Sequence, residues 1–165
     1  MNLETLRELF DYNSWANERI LVRVRELSPE QLHQPTDFSY PSLFKTLVHI
    51  MSAEWLWRQR MQFGVSPERM HTAEDFRDLA SLEAAWQQNT QELMAYLATL
   101  TERDLQSKFS YRNLEQQDCT NLLWESLLHL VMHGMQHRSE CAAMLTSLGH
   151  SPGDIDFIVF VRKRV

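Results

Sequence analysis

The 165-residue chain carries 16 Lys and Arg against 22 Asp and Glu, a net charge of −6, and is 44% hydrophobic. That balance suits a globular protein with a sizeable core and argues against a nucleic-acid surface, which needs a basic stripe. Four glycines and five prolines favour helices over a turn-rich sandwich.

The opening "MNLETLRELFDYNSW" has neither the basic n-region nor the apolar h-region of a signal peptide, and nowhere do 18 apolar residues run together. Cys119 and Cys141 make no disulfide framework. The expectation is one domain over residues 1–165 in the reducing cytoplasm, with no membrane span. Arg162, Lys163 and Arg164 end the chain as a short, solvated basic cluster.

The first predicted helix carries Leu3, Leu6, Phe10, Ile20, Leu21, Val24 and Leu27 on one stripe. Ser28 then caps a short turn that has Pro29 in its first position. Asn13 and Asn17 fall on the stripe where apolar residues belong. Hydrogen bonding within the core, or at a wet end of the bundle, is the preferred reading, and lining a polar pocket the alternative.

A second helix runs from about Ser42 to Phe63-Gly64, and a third carries Leu79, Leu82, Trp86, Leu93, Leu97 and Leu100. In "SKFSYRN", Phe109 and Tyr111 alternate with polar residues like one arm of a small β-hairpin, although the tract lacks glycine. The fourth helix should span about Thr120 to Leu148 and end at Gly149, followed by an extended tail that packs back. The fold class is therefore all-α, a four-helix bundle with a hairpin before the last long helix.

That fourth helix contains "HLVMHGMQHRSECAAML". Leu123, Leu127, Leu130, Gly134, His137, Cys141, Met144 and Leu148 form its inward seam, which places His137 on it. His133 is rotated from His137 by about 40° and still faces inward, whereas His129 is rotated by about 80°, toward the flank. Imidazoles excluded from water need partners for both nitrogens, and an i, i+4 pair can share one metal ion. His49 on the second helix, with Ala53 one turn on, is the natural third ligand. Glu54 lies about 140° around the helix from His49 and reads as a surface carboxylate outside the site. Cys141 reads as a buried thiol, with a soft fourth ligand as the alternative. His33, His71 and His150 fall in connections and read as exposed, and the spacings from Glu30 to His33 and from Glu68 to His71 as accidental. There is no HExxH, GxSxG or glycine-rich phosphate loop.

The stretches "DYNSWANERIL", "FKTLVHIMSAEWLW" and "LLHLVMHGMQHRSECAAMLTSLGHSP" resemble the DinB-like family, which groups with thiol-dependent S-transferases and mycothiol-dependent maleylpyruvate isomerases. The resemblance implies a four-helix bundle, often homodimeric, that binds a divalent metal through three histidines. By motif these are His49, His133 and His137. The sequence departs from the family in Arg138-Ser139-Glu140, where Arg-Gly-Gln is usual, in Gln136, where Tyr is frequent, and in a hairpin without glycine. These departures touch the surroundings of the site, so substrate identity does not transfer.

Three histidines leave a coordination position open, as catalytic metal sites do. The leading expectation is a metal-dependent enzyme transferring a low-molecular-weight thiol to a small electrophile. The alternatives are a metal-dependent hydrolase and a non-catalytic metal-binding bundle with a stress-response role. Imidazole donors suit zinc or nickel first, with iron, manganese and copper open. Asn13, Asn17, Trp57 and Arg138 are candidate pocket residues, and neither nucleic acid nor membrane is expected as a partner.

Overall fold

The computed structural model describes residues 1–163, so Arg164 of the terminal basic cluster lies outside them. Helix α1 (Leu3–Val24) starts at Asn2, whose side chain accepts from the Thr5 amide. Ser28 and Gln31 close a capping box on the short α2 (Pro29–Leu32). Helix α3 (Leu43–Phe63) is capped by Ser42 and ends at Gly64, whose φ of 65° any side chain would oppose. After a single 3-10 turn at Ala73–Asp75, Asp78 caps α4 (Leu79–Thr99), and α5 (Glu102–Leu105) follows at once.

Strands β1 (Lys108–Arg112) and β2 (Asp118–Leu122) form an antiparallel hairpin, with Tyr111 opposite Cys119. The left-handed position usually filled by glycine is taken by Gln116, at φ 64°. Helix α6 (Leu123–Ser147) follows β2 directly, and α7 (Phe157–Lys163) ends the described chain.

Helix α6 packs against α1 and α3, and α4 closes the ring by packing on α3 and α1. Leu6, Leu47, Leu82 and Leu127, one from each long helix, are fully buried. Each such side chain contributes about 2 kcal/mol by leaving water.

The apolar core falls into two clusters. One contains Ile20, Leu47, Met51, Leu82 and Cys141, and the other Leu6, Phe10, Leu93, Leu127 and Leu130. On every long helix the change of cluster coincides with buried polar residues: Asn13 and Asn17 on α1, Glu54 on α3, Asn89 on α4, His137 and Arg138 on α6. The bundle thus has a polar layer across its middle.

Two boundaries differ from expectation. Helix α6 begins at Leu123 rather than Thr120, because Thr120 to Leu122 pair with Lys108 to Ser110 first. The tail is helical at its end rather than extended: the Asp156 carbonyl accepts from the Val159 and Phe160 amides. Phe157 and Phe160, three residues apart, both set their rings against Tyr12 of α1. No helix among the described residues is long and apolar enough to cross a membrane.

Candidate metal centre

His49 stands on α3, and His133 and His137 one turn apart on α6, where these two helices face each other. The three rings lie 4.6 to 4.8 Å apart, centroid to centroid. One ligand nitrogen from each can be chosen so that all three lie within 4.8 Å of one another. The Nε2 atoms of His49 and His133 are 2.9 Å apart. In a tetrahedral site with bonds of about 2.0–2.1 Å, ligand nitrogens sit about 3.3 Å apart, so small ring movements suffice to enclose an ion.

The outer nitrogens are held. His137 Nδ1 is 2.9 Å from Glu140 Oε2, and the Tyr40 hydroxyl is 2.7 Å from His49 Nδ1. With a proton on each Nδ1, the Nε2 lone pairs turn inward, which is how such partners fix the tautomer of metal-binding histidines. Ser39 donates to the other Glu140 oxygen, and Tyr40 stacks on His49. The loop before α3 is thereby tied to both sides of the trio.

Burial first, and then the mutual repulsion of the imidazoles, push His49 down to about 3 and His133 down to about 4. Both are neutral donors near neutral pH. Burial pushes the Glu140 carboxyl up, but the hydrogen bonds from Ser39 and His137 outweigh it and hold the group below its usual value. This donor set, three converging imidazoles with one backed by a carboxylate, could hold one divalent ion.

His129 stays outside the trio, its ring 5.5 Å from that of His133 and edge-on to Trp57 at 5.3 Å. Trp57 in turn meets Tyr111 of the hairpin. Cys141 is wholly buried in the apolar cluster, and burial pushes its thiol far up. It does not join the histidines.

Glu54 overturns its reading as a surface carboxylate. It is 3% exposed and accepts from Asn13, Asn17 and Trp86. Asn13 and Asn17 therefore bond within the core, as preferred. Arg138 is buried too, its Nη1 donating to both asparagines, and Asn17 also lines a groove between α1 and α4.

Two connecting histidines are also less exposed than expected. His71 packs on Trp55 at 4.2 Å, and His150 Nδ1 is 2.9 Å from Glu26. His33 is exposed.

Glu140, Tyr40 and Ser39 were missed as site residues. Glu140 had a signal, because it stands three residues after His137 and so on the same face. Tyr40 and Ser39 lie in a loop, where no periodicity marks them.

A shallow depression of about 570 Å³ adjoins the trio, lined by His129 and His133 together with Trp124, Leu128, Met132 and Met135. A second groove of about 500 Å³ runs between α1 and α4 and is lined by none of the histidines.

A family model described as the DinB family matches residues 1–164. "Protein DinB" of Bacillus subtilis (strain 168) is 26% identical over 164 residues, covering 94% of each chain. The match runs through all four long helices and the histidine crevice between α3 and α6, and the chain belongs to the DinB family.

Proposed function

We propose that His49, His133 and His137 bind one divalent metal ion, and that the protein uses it to transfer a low-molecular-weight thiol to an electrophile. The convergence of three imidazoles, two of them fixed through Nδ1 by Tyr40 and Glu140, carries this reading. Cys141 points to no closed site, since its thiol is packed away in the apolar cluster. When bound, a divalent ion supplies Lewis acidity and lowers the pKa of a thiol or water in its remaining position.

The residues around that position suit the rest of the task. Glu140 and Tyr40 orient two of the imidazoles. The depression beside His133 offers an apolar wall from Trp124, Leu128, Met132 and Met135. Methionine surfaces adapt to varied apolar shapes, which suits the carbon skeleton of a small electrophile. In the transfer the thiol's proton passes to solvent, its sulfur forms a bond to the electrophilic carbon, and the bond from that carbon to the leaving group breaks, with the electron pair going to the leaving group.

The test is turnover by zinc- and nickel-loaded protein with several thiols and electrophiles, each with and without added thiol. Turnover that needs both metal and thiol is expected. Metal-dependent turnover without thiol would replace transfer by hydrolysis, and no turnover with any pair would remove the enzymatic reading.

A further inference from the structure

Glu54 and Arg138 bury a carboxyl and a guanidinium in the middle of the bundle, and neither is one of the three histidines. Glu54 Oε1 accepts from Asn13 Nδ2 at 2.8 Å and Asn17 Nδ2 at 3.2 Å, and its Oε2 accepts from Trp86 Nε1 at 2.8 Å. Arg138 Nη1 donates to the Oδ1 atoms of the same two asparagines. Each asparagine thus bridges the two groups, its amide nitrogen on the carboxyl oxygen and its oxygen on the guanidinium. The network draws one or more residues from each of α1, α3, α4 and α6.

Gly134 is shaped to this network. A Cβ there would lie 2.6 Å from Arg138 Nη1 and 2.9 Å from Asn13 Oδ1. The guanidinium folds back over its own helix into space that only glycine leaves.

Stability alone does not account for such a cluster. Arg138 Nε and Nη2 are buried without hydrogen-bond partners, and buried ion pairs are often matched or bettered by apolar side chains of similar volume. Directional bonds supply something that apolar contacts do not, namely a fixed register. A slip of one residue along a helix moves a side chain by about 1.5 Å and turns it by about 100°, whereas a metal site tolerates about 0.5 Å. Glu54 stands five residues after His49, and Arg138 directly follows His137.

We infer that Glu54 and Arg138 are positioning residues for the histidine site: through Asn13 and Asn17 they fix the register of α3 against α6, so that His49 meets His133 and His137. This rests on the metal-site reading above.

Cobalt(II) titrated into chelator-stripped full-length protein tests it, with affinity, visible spectrum and metal-free melting temperature as the three readouts. The double variant Glu54→Met/Arg138→Met should melt at or above the wild type, yet bind cobalt about 10- to 100-fold more weakly and with an altered spectrum. Gly134→Ala, which keeps both groups but displaces the guanidinium, should also weaken binding and alter the spectrum. Wild-type affinity and spectrum in the folded double variant would overturn the inference. If that variant does not fold, the same result in Gly134→Ala overturns it. Wild-type protein that takes up no cobalt brings down the metal-site reading first, and this inference with it.

Discussion

His137 reaches the site from the seam of α6, His133 from one turn before it, and His49 from the edge of α3 that faces α6. Helical geometry alone ranks these three, since 100° per residue fixes which side chains share a face. The same arithmetic misled for Glu54. It was measured only against His49, although Glu54 also stands seven, four and three residues after Leu47, Ile50 and Met51, all on the buried face. Arg138 carried a similar signal, lying seven residues after Val131 and three before Cys141. A charged residue at such a spacing is easily taken for surface, because the partners that make its burial tolerable lie on other helices.

The low proton affinities of His49 and His133 have a consequence for the metal-free protein. Unfolded histidine titrates near about 6.5, and in the fold His49 and His133 are held to about 3 and about 4. The unfolded chain therefore binds more protons between these values. Stability contributed by the neutral imidazoles is complete above about pH 6.5 and is lost as pH falls toward 4. The melting temperature of metal-free protein should drop between pH 7 and pH 5, and less steeply in His49→Gln. An unchanged slope in that variant would show that other groups control the loss.

At the scale of elements, the four long helices were legible because their apolar period and caps agree: Ser42 and Asp78 open helices where the stripes begin, and Gly64 closes one where a stripe ends. The ends that were misread are places where tertiary pairing decides. Thr120 to Leu122 continue the polar–apolar pattern of either a strand or a first helical turn, and the presence of β1 selects the strand. The run "FIVFV" has no period to distinguish helix from strand, and packing of Phe157 and Phe160 on α1 selects the helix.

The hairpin keeps a residual cost. Gln116 sits at φ 64° in the turn, where a left-handed non-glycine residue costs about 1 kcal/mol. Glycine there regains part of this against its larger unfolded entropy, a net gain of about 0.5 kcal/mol. Gln116→Gly should therefore raise the melting temperature by about 1–2 °C. A fall on thermal denaturation would mean that the Gln116 side chain contributes more than its backbone costs.

Across the whole molecule, the bundle is two apolar clusters joined through a polar layer, and His137 lies within that layer. The sequence showed the interruptions one by one, as asparagines and histidines on apolar stripes. It did not show that they meet, because their partners are up to 125 residues apart, as for Arg138 and Asn13. Concentrating polar groups at one level leaves both ends of the bundle free to supply stability, while the middle is given to a site whose donors are oriented by Tyr40 and Glu140.

The account stands on that middle layer holding a metal ion. Calorimetric titration of zinc into chelator-stripped wild type, beside His137→Ala, tests it most directly, with both proteins free of any histidine tag. One ion per wild-type chain and none in the variant is the predicted result. Wild type that takes up no zinc, or a variant that binds it as well as wild type, would contradict the assignment of these three histidines.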